Sequence, residues 1–441
     1  MSRPAPGRLR LPKAPAVLEE ELAGGLRAIA VRRRAVPLVE VRLVFAMAAE
    51  NITKAAGPTV LAESVLAGTD RRNRRELAEA VERLGGRLGA SHGEDRFVLA
   101  ASVLAGNLDK LLEILAEVLH GASYPRAEVS ADRERLANET LIALSQPEVI
   151  ADEALRRRLY PGHPYAAGIP RPSALRKVGA GNLRALHRGL LNPRAGRLVL
   201  VGDIDTRRAI GRASDILAPW LASAQRVDVR LPPPAGARPG PISLVARPGS
   251  VQSNIRLGRS APSRSDPDWP AAALANLVFG GLFASRLVEN LRERHGYTYS
   301  PGSAIRHGRA ASSLVVEADV ATLATAAALV ETRYELGRMA VTGVSDGEFD
   351  SARRYAVGTF SFLTATQSGL ADTLATLSLA GVGPGYLTSY PAAVARTTKA
   401  EVEAAARHYF APATLLTVIV GDADDVAGPL SAIDGVTVSS S

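Results

Sequence analysis

Two kinds of apolar spacing alternate along the chain. Apolar residues recur at helical spacing over Leu77–Leu84 and Leu108–Leu119, which predicts two amphipathic helices, and Asn107 is placed to cap the second. Residues 38–45 and 97–103 are instead rich in β-branched and aromatic side chains, which predicts strands. Helices and strands follow each other without a strict βαβ rhythm, so the pattern predicts an α+β fold with a largely antiparallel sheet.

The second half of the chain repeats the plan of the first. Segments 192–205 and 411–424 each follow a helical stretch and give an apolar strand that ends in Gly-Asp. The two Gly-Asp pairs, Gly202-Asp203 and Gly421-Asp422, stand at an offset of 219 residues. A repeat of this length indicates a duplicated domain.

A Pro-rich segment at 231–241 separates the two copies and predicts a semi-rigid linker, because proline excludes helix and central strand. The 441 residues suit two domains of about 200 residues each. We therefore predict a disordered tail at 1–16, an N-terminal domain at 17–230, the linker, and a homologous C-terminal domain at 242–441.

Composition is that of a globular protein, 46% hydrophobic and 22% charged. The absence of Cys excludes disulfides and thiolate metal sites. No run of 18 apolar residues occurs, so no membrane contact is expected. The basic N-terminal segment lacks the apolar core of a secretory signal and is interrupted by Pro4, Pro6 and Pro12. These features predict a cytoplasmic protein.

The net charge of +9 is compatible with nucleic-acid binding. However, the arginines are dispersed among acids, aromatic residues make up only 5% of the chain, and no basic-aromatic stripe is visible. The charge therefore predicts a solvated, Arg-rich surface and no nucleic-acid partner.

Histidine spacing argues against zinc on this chain. A helical His-x-x-Glu-His motif places two imidazoles on one face with a glutamate beside them to activate water. None of the seven histidines lies three or four residues from another. No helical His pair exists, and we expect no metal ion bound to this chain.

Several ordered motifs together resemble the insulinase/pitrilysin (inverzincin) metallopeptidases, in particular the bacterial members similar to the mitochondrial processing peptidase. They comprise the helical run 56–69, Leu-Gly-Gly-Arg-Leu-Gly-Ala-Ser at 84–91, Tyr-Pro-Gly-His-Pro-Tyr at 160–165, Gly-Asp-Ile-Asp at 202–205, and the run 290–299. The resemblance implies two homologous α+β domains that form a half-shell.

The zinc motif of that family is degenerate here. Matching from the Gly-Thr pair at 68–69 places Thr59 and Glu63 where the family has its histidines and Ala62 where it has its catalytic glutamate. The third family ligand falls near Glu139. Alanine cannot act as a general base, and two carboxylates without imidazole bind zinc poorly, so ordinary surface or helix-pairing roles are the alternative. The resemblance implies no cofactor on this chain and zinc on a partner.

The run Asn-Leu-Arg-Glu-Arg-His-Gly-Tyr-Thr-Tyr at 290–299 predicts the end of a helix from Leu282 to Arg294, stopped by Gly296. An extended segment follows, with Tyr297 and Tyr299 expected on one face. Taken alone, an arginine in the last helical turn complements the helix dipole, with Glu289 as a possible ion-pair partner, and strand tyrosines usually pack.

The resemblance gives this run a second interpretation. In the two-chain bacterial members, the matching Arg and Tyr contact the substrate, and by position these are Arg292 and Tyr299. The implied function is a non-catalytic, substrate-binding subunit, inactive alone, that joins a zinc-bearing homologous subunit to cleave peptides. A structural or peptide-holding pseudopeptidase without a catalytic partner is the alternative.

Overall fold

The computed structural model describes residues 7, 9–434 and 436–440. Two sheets of six strands each are found within these residues. The strands are β1 Val17–Glu21, β2 Arg27–Arg32, β3 Leu38–Ala46, β4 Arg87–His92, β5 Arg96–Leu104, β6 Gly196–Gly202, β7 Ile242–Ala246, β8 Gln252–Ala261, β9 Gly302–His307, β10 Ser312–Ala321, β11 Leu416–Gly421 and β12 Val438–Ser440.

Helices cover and connect the sheets. Besides short 3₁₀ turns, two π-helical segments occur, at Leu277–Gly281 and Glu289–Arg294. The α-helices are α1 Ala49–Thr53, α2 Ala56–Ser64, α3 Arg74–Glu82, α4 Leu108–Gly121, α5 Arg126–Ala143, α6 Pro147–Leu159, α7 Pro172–Arg176, α8 Ala180–Leu190, α9 Thr206–Ile216, α10 Ala218–Leu221, α11 Trp269–Asn276, α12 Arg286–Val288, α13 Thr325–Val341, α14 Asp346–Leu363, α15 Gln367–Leu379, α16 Tyr386–Arg396, α17 Lys399–Tyr409 and α18 Ala423–Ser431.

The two sheets share one topology in five of their six strands; the sixth strands differ, because β1 is antiparallel to β2 and β12 is parallel to β7. Their strand orders are β1-β2-β6-β3-β5-β4 and β12-β7-β11-β8-β10-β9, so β2, β6, β3, β5 and β4 correspond in turn to β7, β11, β8, β10 and β9. Each sheet is mixed, with β2–β6 and β7–β11 parallel and the hairpins antiparallel. The predicted α+β fold with two similar halves is confirmed.

Local predictions were mostly confirmed. The amphipathic patterns form α3 and α4, and the β-branched runs form β3 and β5. Asn107 is the N-cap residue of α4, as predicted, but its side chain does not cap the helix: the amide group donates to the carbonyl of Leu84 (3.1 Å), and a 3₁₀ turn leads into the helix.

The predicted domain boundaries stay a prediction. Residues 231–241 contain no helix or strand. Of the predicted tail, residues 1–6 and 8 lie outside the described residues. Within the rest of the tail, Leu9 packs against the apolar core of the C-terminal half.

Each half of the chain contributes one helix that packs on the sheet of the other half. Helix α15 packs on β2, β3 and β6 of the first sheet, where Leu370 and Leu374 meet Val199 and Val201. Helix α6 packs mainly on β8 and β11 of the second sheet, where Leu155 contributes to the same apolar cluster as Val418. The exchange ties the two sheets together through apolar contacts.

Two buried arginines accompany this exchange. Arg42 on β3 donates through Nε to Asp372 on α15 (2.6 Å). Arg256 on β8 donates through Nε to Asp152 on α6 (2.8 Å) and through Nη1 to Asp319 on β10 (2.7 Å). Both guanidinium groups are more than nine-tenths buried. The duplicated domains thus hold each other through equivalent ion pairs.

One stretch of 26 residues within the described part of the chain, Trp269–Arg294, is long and apolar enough to cross a membrane, with a mean hydropathy of 1.6 in its most apolar window, although its helical turns are interrupted at 282–285. Of its most apolar window, 72% is buried inside the structure. Its residues Leu274, Phe279 and Leu287 belong to the core under the second sheet. Packing in that core accounts for its apolar character.

His307, at the end of edge strand β9, gives a pH-dependent prediction. Burial lowers the pKa of His307 to about 3, and Arg264 adds to the effect. The imidazole meets Trp269 edge-on, and its Nε2 is buried without a hydrogen-bond partner. In the unfolded chain the His307 imidazole binds a proton near pH 6.5, whereas in the folded chain it stays neutral to lower pH. The free energy of unfolding therefore falls as pH drops from 6.5 towards 3, by up to about 1.4 kcal/mol per pH unit from this group.

Urea unfolding at several pH values measures this dependence. His307→Asn is expected to flatten the curve between pH 6.5 and 4, whereas His120→Gln on the exposed side of α4 leaves it unchanged. An unchanged slope in His307→Asn would contradict the assignment.

Candidate functional site

Helix α2 carries the positions of the degenerate zinc motif. Its apolar side, with Val60, Leu61 and Ala62, is buried in the core. Thr59 and Glu63 are four residues apart, so they lie on the same, partly exposed face. The helix is therefore built as the motif requires, with a methyl group at the position of the base.

Arg135 on α5 joins the two acids of this region. Its Nη1 donates to Glu139 (2.8 Å), one turn further along α5, and its Nη2 donates to Glu63 on α2. The hydrogen bond to Glu139 is the main cause that raises the pKa of Arg135, and Glu63 adds to it. The structure thus brings Glu63 and Glu139 near each other, with the Arg135 guanidinium between them.

Thr59 has its own partners. Its hydroxyl lies within hydrogen-bonding distance of the Ala55 carbonyl (2.8 Å) and of His92 Nε2 (3.1 Å). His92 ends edge strand β4, and burial lowers the pKa of its imidazole. Sequence reasoning missed His92 at this place because it belongs to a different element, 33 positions along the chain.

The residues present do not fit a zinc ion. Zinc in proteins favours a set of imidazole, thiolate and carboxylate ligands around an accessible centre. Here the two carboxylates are engaged by Arg135, and the remaining matched position is a hydroxyl. In the described part of the chain, no group of three His, Asp or Glu side chains is placed to hold a metal ion. No chemical step is therefore derived through a metal on this chain.

The Arg/Tyr run departs from its predicted secondary structure. The helix does not start at Leu282, which is extended, and regular turns begin only at Arg286. The last part, Glu289–Arg294, is π-helical, and Gly296 ends it with a φ of 64°. The predicted extended segment is not a strand, because β9 begins only at Gly302.

Side chains of the run also pair differently from the prediction. Glu289 pairs with Arg294 (2.6 Å) and not with Arg292. Tyr297 stacks on His295, whereas Tyr299 points away and is 79% exposed. The two tyrosines therefore have different surroundings, contrary to the prediction that they share one face.

Arg292 lies between two exposed aromatic rings. Its guanidinium carbon is 4.7 Å from the ring centre of Tyr299 and 4.8 Å from that of Phe283. Its Nε lies 3.3 Å from Glu293, and its terminal nitrogens donate no hydrogen bond to the described part of the chain. Stacking on ring faces fixes a guanidinium while leaving its edge free. We call Phe283, Arg292 and Tyr299 the stacked triplet.

The two groups belong to different halves of the molecule. The stacked triplet lies in the C-terminal half, on the segment whose apolar residues pack under the second sheet. The Glu63–Arg135–Glu139 group lies in the N-terminal half, on helices that pack beside the first sheet. Within the described residues, no hydrogen bond or ion pair joins the two groups. Sequence matching found Arg292 and Tyr299, but Phe283 and Arg135 emerged only from the structure.

Comparison with known proteins identifies the family of the chain. Residues 57–173 match the model of the family described as Insulinase (Peptidase family M16), and residues 177–355 match the model described as Peptidase M16 inactive domain. The chain belongs to the insulinase-like peptidase family M16.

Curated relatives are distant. An uncharacterized zinc protease from Mycobacterium leprae is 23% identical over 295 residues, 66% of this chain and 66% of that protein. An uncharacterized zinc protease from Streptomyces coelicolor is 23% identical over 241 residues, 53% of this chain and 52% of that protein. The matched part thus spans between about half and two thirds of the length of these relatives.

Solved structures show the same fold. The crystal structure of a peptidase M16 inactive domain from Pseudomonas fluorescens has a TM-score of 0.85 at 22% identity and covers 92% of this chain and 98% of its own. A protease from Helicobacter pylori has a TM-score of 0.81 at 18% identity, covering 93% of this chain and 100% of its own.

Proposed function

We propose that this chain is the non-catalytic, substrate-binding subunit of a two-chain zinc metalloendopeptidase, paired with a homologous chain that carries the zinc. The observation that carries the proposal is the exposed stacked triplet, with hydrogen-bond donors free, on a chain whose α2 offers neither a general base nor a zinc-ligand set. A chain of this kind binds peptide and relies on its partner for the cut.

Arg292 and Tyr299 have the chemistry for this role. The free edge of the guanidinium presents a fixed fork of donors to a peptide carbonyl or carboxylate. The Tyr299 hydroxyl can donate to the oxyanion that forms when the carbonyl is attacked. Neither residue needs to lie on the chain that binds zinc, provided the two subunits close around the same peptide. This enclosure is the role of the half-shell.

Sheet edges supply a means of holding an extended peptide, although on β9 the Ser303 carbonyl already accepts a hydrogen bond from the Asn276 side chain (3.3 Å). Strands β4 and β9 each form one edge of their sheet, and both alternate between exposed and half-buried residues. Unpaired backbone groups on such an edge can accept another strand. A peptide added at either edge would be bound through its main chain, which suits a subunit that handles many sequences.

The proposed setting is the cytoplasm, and the proposed partners are a zinc-bearing sister subunit and peptide or unfolded segments. Relatives named as zinc proteases support a peptidase context. The alternative of a peptide-holding protein without a catalytic partner makes the opposite prediction for the experiment below.

Reconstitution tests the proposal. The chain is co-purified with a homologue from the same genome that has an intact His-x-x-Glu-His motif, and each is assayed alone and mixed on fluorogenic peptides. We expect a stable complex, cleavage greatest in the mixture, and loss of cleavage on chelation. No complex and no gain in activity would favour the peptide-holding alternative, and cleavage by this chain alone would contradict the non-catalytic assignment.

A further inference from the structure

We infer that Arg135 has taken the place of the metal ion in this fold: its guanidinium is a built-in cation that occupies the space between α2 and α5 and keeps zinc out. The inference concerns this chain alone and does not rest on the proposed partner. At the positions where the family binds zinc, this chain has a hydroxyl, two carboxylates and the Arg135 guanidinium.

The geometry is that of one cation shared by two helices. Glu139 lies one helical turn after Arg135 on α5, and Glu63 faces both from α2. These two acids stand at matched ligand positions of the family motif. A single guanidinium holds both carboxylates, so the cation that joins the two helices belongs to the protein.

The charge of Arg135 is permanent. A guanidinium is not deprotonated at any pH at which proteins fold, and its two carboxylate partners raise the pKa of Arg135 further. An incoming divalent cation would meet both a like charge and carboxylates already engaged by that charge. Restoring imidazoles on α2 would therefore not be enough to rebuild a zinc site while Arg135 remains.

The role is not mainly one of stability. Side chains of Glu63, Arg135 and Glu139 are each between two-fifths and three-fifths exposed, and ion pairs this exposed contribute little to folding. Helix α2 is held to α5 independently, because Ser64 donates to Asp132 in a buried contact (2.8 Å). Variants at Arg135 should consequently keep the position of α2.

Arg74 strengthens this second attachment. Its Nη2 donates to the same carboxylate oxygen of Asp132 that Ser64 contacts (2.7 Å), and its Nε donates to Glu128 (2.6 Å). This network is separate from the Arg135 group, so the two can be changed one at a time.

Zinc titration of restored variants tests the inference. The background is Thr59→His with Glu63→His, which rebuilds the two imidazoles opposite Glu139 and leaves the buried Ala62 unchanged. Zinc affinity is measured by competition with a chromophoric chelator, in this background and after adding Arg135→Gln. We expect zinc to bind at least about 100-fold more tightly once Arg135 is removed, two powers of ten in the dissociation constant.

The matched control is Arg176→Gln in the same background. Arg176 on α7 pairs with Glu134 of the same helix α5 (2.9 Å) and is similarly exposed, so its removal lowers the local positive charge equally without opening the site. Circular dichroism and thermal melts check that each variant is folded. The inference is overturned if the background binds zinc as tightly with Arg135 as without it, if Arg176→Gln has the same effect, or if folded Arg135→Gln still does not bind zinc.

Discussion

In the reconstituted two-chain enzyme, Tyr299→Phe is expected to lower kcat about 100-fold while leaving the complex and its zinc content intact. Removing one hydrogen-bond donor from a developing oxyanion typically costs this much. The ring of Tyr299 remains in the variant, so stacking on Arg292 is preserved and only the hydroxyl is lost. A fall in kcat with little change in KM would assign the hydroxyl to the transition state.

Arg292→Ala separates binding from chemistry. Loss of the guanidinium removes the donors offered to the bound peptide, so we expect KM to rise at least about tenfold in addition to any effect on kcat. The control for Tyr299→Phe is Tyr334→Phe, because Tyr334 is another exposed tyrosine whose ring lies against an arginine, Arg338, and the same pair supplies Arg338→Ala as the control for Arg292→Ala. Full activity with Tyr299→Phe and Arg292→Ala combined would contradict the substrate-binding role of both residues.

Much of the fold could be predicted because its signals are local or repeated. The duplication is visible from Gly202-Asp203 and Gly421-Asp422, which end equivalent strands β6 and β11. The degenerate motif was equally accessible, since the spacing of Thr59 and Glu63 on one helix fixes their common face. The replacement of the motif's histidines and glutamate at positions 59, 62 and 63 can be read from the sequence alone, because it depends only on residue type.

The parts that could not be predicted depend on contacts between distant segments. Arg135 and Glu139 form a helical pair that is recognisable from i, i+4 spacing, but Glu63 lies 72 positions away. The exchange of α6 and α15 leaves no local trace, because an amphipathic helix does not reveal which sheet it covers.

Tyr297 and Tyr299 show a different limit. Three residues in alternation cannot distinguish a strand from an irregular extended segment. The contact between Phe283 and Arg292 joins a residue in the non-helical break before Arg286 to one in the π-helical segment, and regular α-helical spacing predicts neither position.

Removing the charged partners of a buried arginine is expected to lower the free energy of unfolding more than any other change considered. Asp152→Asn combined with Asp319→Asn keeps the shape of both partners of Arg256 but removes their charge. The guanidinium, only 4% exposed, then remains as an uncompensated buried cation. Breaking a buried ion pair in this way costs about 3 kcal/mol, and we expect a corresponding fall in the urea midpoint.

Adding Arg256→Met to these substitutions gives the decisive comparison. If the cost arises from an unpaired buried charge, replacing the arginine by an apolar side chain of similar length should recover most of the lost stability, because buried ion pairs are often no more stabilising than well-packed apolar groups. Asp228→Asn, which unpairs the exposed Arg230, should leave the midpoint unchanged. Failure of Arg256→Met to restore stability would show that shape and hydrogen bonding between α6 and β8, and not charge, hold α6 on the second sheet. The equivalent pair of Arg42 and Asp372 would then be expected to behave in the same way on the other sheet.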